Sequence, residues 1–311
     1  MKAAIALLVI LHAAILLAGV LAPYPYDQQQ RDFPYAPPAR IHFAALRPFV
    51  YGLAATPDGY REDLTRRYPI RFFIHGRLFA VDPPGVLFLC GSDGLGRDIF
   101  SRVLYGGQVS LLTGLLATAV SLLFGLALGA SAGFFGGWTD RLLMRSSELT
   151  MAVPWLYLLL AVRAFLPLHI PTAQAFALLI AIIGCIGWVR PARLVRGVAL
   201  SGREQPYVLA ARGFGASGFY LLRRHILPLA WPVVLTQATV LIPQYVMAEV
   251  ALSFLGLGIG EPVPSWGNML AEARQYYVVV SHPWVLAPAL AIIPFLLAYL
   301  RVADGLLEQK S

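Results

Sequence analysis

The chain has 311 residues, 58% of them hydrophobic and only 13% charged, with a formal net charge of +8. Soluble globular chains carry about 25% charged residues, so this composition, with a mean hydropathy of +0.68, excludes an ordinary soluble domain and turns apolar surface toward lipid. The basic excess does not signal nucleic acid, because it is not gathered into one soluble domain.

A membrane helix needs about 20 mostly apolar residues. Six stretches qualify, near 3–22, 109–134, 142–165, 172–189, 230–255 and 283–300. The first follows Lys2 and is longer than the core of a signal peptide, and Pro23 disfavours cleavage after it, so 1–22 reads as an uncleaved first span. The segment 23–105 is rich in Pro, Tyr and Arg. In it, 70–74 and 86–89 read as short strands around an Asp82-Pro83-Pro84-Gly85 turn, within a small external lobe. The carboxylates Asp93 and Asp98 have neither the spacing of a calcium loop nor a dinucleotide fingerprint around them. Ser92 or Asp93 is the expected cap of the helix that leads into the second span.

The second span holds Gly125, Gly129 and Gly133, four residues apart on one face, a pattern that lets a neighbouring helix approach closely. The same stretch fits G-x-S-x-G around Ser131, but a nucleophile elbow needs a strand-to-helix turn, which a membrane helix does not supply. The third span carries Glu148 near its inner end and Arg163 near its outer end, where a long side chain can snorkel. The 190–224 connector has seven Arg against one acid, Glu204. Within it Ser201 and Pro206 suit a helix start, Gly213 and Gly215 a break, and Pro228 an end. Such a pair of short helices can lie on lipid or enter a partner's groove. Glu249, toward the outer end of the fifth span, is either a structural carboxylate or part of a path or gate.

Arginines mark the 135–145 and 190–224 connectors, whereas 164–171 has none and 257–282 only Arg274. The positive-inside rule therefore places both termini in the cytoplasm, and the ten Arg of 23–105 lie in a segment too long to count. The domains expected are 1–22, the external segment 23–105, a five-helix core 106–303 with a cytoplasmic loop 198–228, and a tail 304–311. The only lysines, Lys2 and Lys310, are terminal, so no P-loop is present and ATP cannot bind in that way. Cys90 and Cys185 have no metal-ligand spacing and read as unpaired thiols, and no cofactor, metal or catalytic group is expected in this chain.

Residues 207–228 resemble the cytoplasmic EAA loop of ABC importer permeases, with Ala210, Ala211, Gly215, Leu227 and Pro228 in register. Four further segments are similar to the second permease of dipeptide, oligopeptide and nickel importers. They are 21–24, 91–98 with Ser101 and Arg102, 248–258, and 264–270. The resemblance omits about 27–85 and implies an all-α, six-span type I-like permease. It implies four partners: a cytoplasmic ATP-binding subunit, a second permease, an extracytoplasmic binding protein and the inner-membrane lipid. It assigns coupling to the ATPase to Tyr207, Ala210, Ala211, Gly215, Ala216, Ser217, Leu227 and Pro228. It assigns the external loops to Asp93, Gly96, Arg97, Asp98, Ser265, Trp266, Gly267 and Asn268. One departure stands out: Leu209 occupies the position of the motif's Glu. A secondary transporter and an intramembrane serine protease at Ser131 are the rival readings. The first would need ion-coordinating groups at mid-membrane and often inverted repeats, and few such groups and no repeat are evident.

Overall fold

A computed structural model describes residues 2–308 except 45, 58, 75, 166, 168 and 169, and not the side chain of residue 307. Lys310 and the end of the tail, and part of the 164–171 connector, lie outside the described residues. The chain divides into two compact units. One comprises Lys2–Ser110 and Val250–Ala298, the other Leu111–Glu249 and the stretch from Tyr299.

In the first unit, α1 (Lys2–Leu16) and α2 (Ala18–Leu21) form the N-terminal apolar segment. It stops at Ala22, which is extended at ψ 127, because the ring of the following Pro23 disfavours helical geometry there. An antiparallel sheet follows in the order β1 (His42–Ala44), β2 (Arg47–Thr56), β3 (Gly59–Ile74), β4 (Arg77–Val81). The fold is thus mostly helical rather than all-helical. The expected strand at 86–89 is corrected to a buried irregular segment. The hairpin closes earlier, at Gly76 (φ 74), which leaves β4 as the partner of 70–74. Val86, Leu87 and Phe88 are instead buried in the lobe's core, where Leu87 N donates to the Tyr24 hydroxyl (2.8 Å) and Ala39 N to the Phe88 carbonyl (2.7 Å). The turn at Asp82–Gly85 is present, with Gly85 N donating to Asp82 O at 3.0 Å.

Next come α3 (Ile99–Phe135), α4 (Gly137–Ala152), α5 (Trp155–Ala164), α6 (Thr172–Gly187), α7 (Val189–Arg203), α8 (Pro206–Gly213), α9 (Gly218–Leu221) and α10 (Leu227–Phe254), followed by α11 (Trp266–Met269), α12 (Tyr276–Ser281) and α13 (Ala287–Glu308). Among the described residues three helices are long and apolar enough to cross a membrane: Ile99–Phe135, Gly218–Phe254 and Pro283–Leu306. The pair α6–α7, bent by 41°, makes a fourth if its two halves are one span, and α1 and α5 are apolar but shorter.

Two expected spans are interrupted. The 142–165 stretch breaks at Val153, which turns extended (ψ 130) ahead of Pro154. The 172–189 stretch breaks at Trp188, and its second half extends to Arg203. Ser201 therefore lies inside α7 rather than at a helix start. Pro228 does not end a helix either. A π-helical turn (Leu222–Ile226) precedes it and carries α9 into α10. A wide turn of this kind makes room for a ring that would clash with the carbonyl four residues back in an α-helix.

The glycine ladder packs as its spacing predicts. A Cβ on Gly125 would meet Pro191 Cβ at 2.5 Å, and one on Gly133 would meet Ala199 Cβ at 2.7 Å. One on Gly129 would meet Ala192 Cα at 2.8 Å, so only glycine lets α3 lie this close to α7. Arg203 donates to the Gly133 carbonyl (3.2 Å) near the end of α3. Arg163 does not snorkel: it is buried and donates to the Pro167 carbonyl at 3.1 Å.

Candidate functional site

In the second unit two helix interruptions and one continuous helix meet at one cavity of about 240 Å³. The α4–α5 break gives Thr150, Pro154 and Trp155, the α6–α7 break gives Gly187 and Arg190, and α10 gives Gln244 and Tyr245. The chemistry begins with Pro191. In a continuous helix its N–H would bond the carbonyl of Gly187, but proline has none. The freed carbonyl accepts from the Tyr245 hydroxyl at 3.2 Å, and the Gly184 carbonyl accepts from Ser121 Oγ at 2.9 Å. A side chain at Gly187 would collide with the Tyr245 hydroxyl. The walls are mixed apolar and polar, with one cation at Arg190. Irregular backbone at membrane depth is tolerated where it lines a cavity. Sequence reading missed this site, although prolines at 154 and 243 inside apolar stretches, and at 191 just past the end of one, were the available signal.

The expected path residues are elsewhere. Glu249 is fully buried in α10, and Glu148 lies on exposed α4, paired with Arg145 at 2.9 Å. Neither lines the cavity. Ser131 Oγ donates to its own helix at Ala127 O (2.7 Å), between two ladder glycines that face α7. Its hydroxyl is used as a helix-satisfying donor.

The expected coupling residues form a pre-folded corner. Helix α8 begins at Pro206 and ends at Gly213, and its closing turn follows through Gly215 at φ +87. Ala216 N donates to Ala211 O (3.1 Å) and Gly215 N to Arg212 O (2.9 Å), the paired bonds of a Schellman closure. Ala211 and Ala216 complete it by packing together on Phe134, Ala199, Val208, Leu221 and Ile226. Ser217 then caps α9, accepting from Tyr220 N at 3.3 Å. Leu227 and Pro228 open α10 behind this core. Tyr207, Leu209, Phe214, Phe219 and Tyr220 are exposed on the outside of the corner, Phe214 at 92%. Ala210 is exposed as well.

The external-loop residues converge in the other unit. Asp93 accepts from Leu95 N and Arg97 N (both 2.9 Å) and from Arg97 Nε (2.6 Å). Arg97 and Arg102, both buried, donate to Glu261 at 2.5 Å and 3.0 Å. Burial opposes the charge on Arg97, but Asp93 and Glu261 outweigh it and raise its pKa above the ordinary arginine value. Gly96, at φ 72, lies against the Gln30 carbonyl where no side chain fits. The cap of α3 is Asp98, not Ser92 or Asp93: its Oδ2 accepts from Ser101 N (2.8 Å) and Ser101 Oγ (2.6 Å). Ser92 is engaged with Phe33 O and Ala36 N, and Asp93 with the Arg97 turn. Burial pushes the Asp98 carboxyl up to about 7. Burial, then neighbouring Asp93, likewise raises Glu272. Ser265 and Asn268 form a reciprocal capping box on α11. Buried Trp266 donates to the Val103 carbonyl at 2.9 Å, and Gly267 lies against the Val250 backbone.

Among the described residues no group of three or more His, Cys, Asp or Glu is placed to hold a metal.

The family described as binding-protein-dependent transport system inner membrane component matches residues 125–309. The chain is 37% identical over 217 residues to the dipeptide transport system permease protein of Alkalihalophilus pseudofirmus, covering 70% of this chain and 69% of that one. It is 37% identical over 216 residues to the glutathione transport system permease protein of Pectobacterium atrosepticum, covering 70% and 69%. It is 37% identical over 230 residues to the oligopeptide transport system permease protein of Bacillus subtilis, covering 74% and 73%.

Proposed function

From the premise that the chain belongs to the binding-protein-dependent transport system inner membrane component family, we propose that it is the permease subunit of an ATP-driven ABC importer for peptides or similar small solutes. In this reading it crosses the inner membrane six times with both termini in the cytoplasm. A second permease closes the path, an external binding protein delivers the solute, and a separate ATPase supplies the energy. Peptide cargo is favoured by the names of three relatives, for dipeptides, oligopeptides and glutathione.

The observation that carries the reading is the corner at 206–221. A short helix closed by its own backbone bonds, with five large side chains turned outward, is what a groove-docking knob requires. Leu209 gives this knob an apolar contact where the family motif has a carboxylate.

The test is Gly215→Trp in the assembled transporter. Open space surrounds Gly215, so the variant acts by forcing a bulky residue into left-handed backbone, at about 1–2 kcal/mol. Membrane insertion should persist and ATP hydrolysis should no longer drive uptake. Normal uptake would count against docking, and uptake by the wild type without nucleotide would favour a gradient-driven transporter.

A further inference from the structure

The lobe at 42–81 lies within the stretch that the resemblance does not cover, and its exposed apolar surface is concentrated at one end. In an antiparallel sheet ordered β1-β2-β3-β4, the β1–β2 and β3–β4 turns fall at the same end. Phe49 pairs with Pro69, and continuing that register sets Leu46 level with Phe72, so the two tips end flush. There Leu46 is 94% exposed, Phe73 82%, Phe43 71% and Phe72 56%. Leu46 (φ 65) and Phe73 (φ 55) also hold left-handed backbone. Glycine or asparagine fits that backbone at lower cost, so large apolar side chains here occupy positions that disfavour them.

The same end is tied to the ends of two apolar helices. Arg77, the first residue of β4, donates to the Ala22 carbonyl at 3.2 Å, where the N-terminal apolar segment stops. Phe79, the cross-strand partner of Phe72, packs on Phe100 in the first turn of α3 at 6.4 Å. The tips are therefore fixed beside the point where the N-terminal apolar segment stops. Arg47 and Arg71 stand at that end, Arg71 paired with Asp82 at 2.9 Å. Exposed aromatics with arginines beside them suit the headgroup and upper acyl layer, where apolar rings bury and guanidinium groups meet phosphate.

We propose that Phe43, Leu46, Phe72 and Phe73 form a double-tipped wedge bedded in the external leaflet beside the first span. The occupant of this surface is lipid. The wedge rests on the spanning reading of residues 2–22, and the test separates the two.

In full-length protein with Cys90 and Cys185 replaced by Ala, single cysteines at Phe73, Leu46, Arg61 and Val9 are labelled with an environment-sensitive fluorophore. Each variant is reconstituted in phosphatidylcholine–phosphatidylglycerol nanodiscs carrying spin-labelled lipid. Phe73 and Leu46 are exposed surface positions, so labelling there does not open the core. Arg61 is exposed at the opposite end of β3, and Val9 is exposed on α1. Labels at Phe73 and Leu46 should be blue-shifted and quenched by lipid spin-labelled near the headgroup, Val9 by lipid labelled deep in the chain, and Arg61 by neither. Quenching of Val9 without Phe73 or Leu46 overturns the wedge alone. Failure at Val9 overturns the spanning reading beneath it. A blue shift at the tips that comes only with an added soluble binding protein overturns lipid as the occupant in favour of a protein.

Discussion

The hydroxyl of Tyr245 donates to the carbonyl of Gly187, the group that Pro191 leaves without its helical partner. This bond closes the α6–α7 break over the cavity. Tyr245→Phe keeps the ring and strands a buried carbonyl, which costs about 1–3 kcal/mol. Thermal unfolding in detergent should show a lowered midpoint, and uptake should fall. An unchanged midpoint would mean that the break is held by other contacts.

The glycine ladder separates packing from catalysis. Gly129→Val drives side-chain atoms into the α7 backbone at Ala192, and overpacking of this kind costs at least about 1–3 kcal/mol. Membrane-inserted yield should drop sharply. Ser131→Ala removes a hydroxyl that, among the described residues, donates to its own helix, and uptake should be retained. Loss of function in Ser131→Ala with normal yield would reopen the protease reading.

Glu261 joins two arginines that are far from it in sequence. Glu261→Gln leaves Arg97 with Asp93 but withdraws the carboxylate nearest Arg102. Breaking a fully buried pair costs about 3–5 kcal/mol, and because Glu261 is half exposed the expected loss is smaller, about 2 kcal/mol. Limited proteolysis of the external loops should accelerate while α3 stays protected.

Asp98 makes stability depend on pH. Its folded pKa is raised to about 7 by burial, so the folded state holds a proton that the unfolded state releases. Its contribution is most favourable below the ordinary carboxylate value, near pH 4, and declines as pH rises toward 7. Asp98→Asn can still cap α3 through its amide oxygen and lacks this decline. The variant's melting temperature should gain on the wild type between pH 5 and pH 8. A constant difference would show that Asp98 is ionised throughout.

Local chemistry was legible in the sequence and long-range pairing was not. Charge content announced the membrane, and the four-residue glycine spacing announced α3 against α7, because both depend on one helix alone. The break at Gly213 and Gly215 was visible for the same reason. The strand at 86–89 failed because apolar residues bury equally well in a strand or in a fixed loop, and Tyr24 and Ala39 decide which. The cap of α3 was misassigned because Ser92 and Asp93 are claimed by Phe33, Ala36 and Arg97, partners that no helical spacing reveals. Pro228 misled because a π turn, invisible in composition, absorbs it.

The Schellman closure at Gly215 has a mechanical side. Its two backbone bonds remove the hinge that a glycine corner would otherwise provide. From Ser217 the helix runs on through the π turn into α10, about 40 Å of rod to Tyr245 at 1.5 Å per residue. That path carries a π turn and two internal prolines, Pro232 and Pro243, the places where a helix can bend. One continuous stretch of helix therefore joins the closed corner to the residue whose hydroxyl holds the α6–α7 break, with its flexibility gathered at three known points.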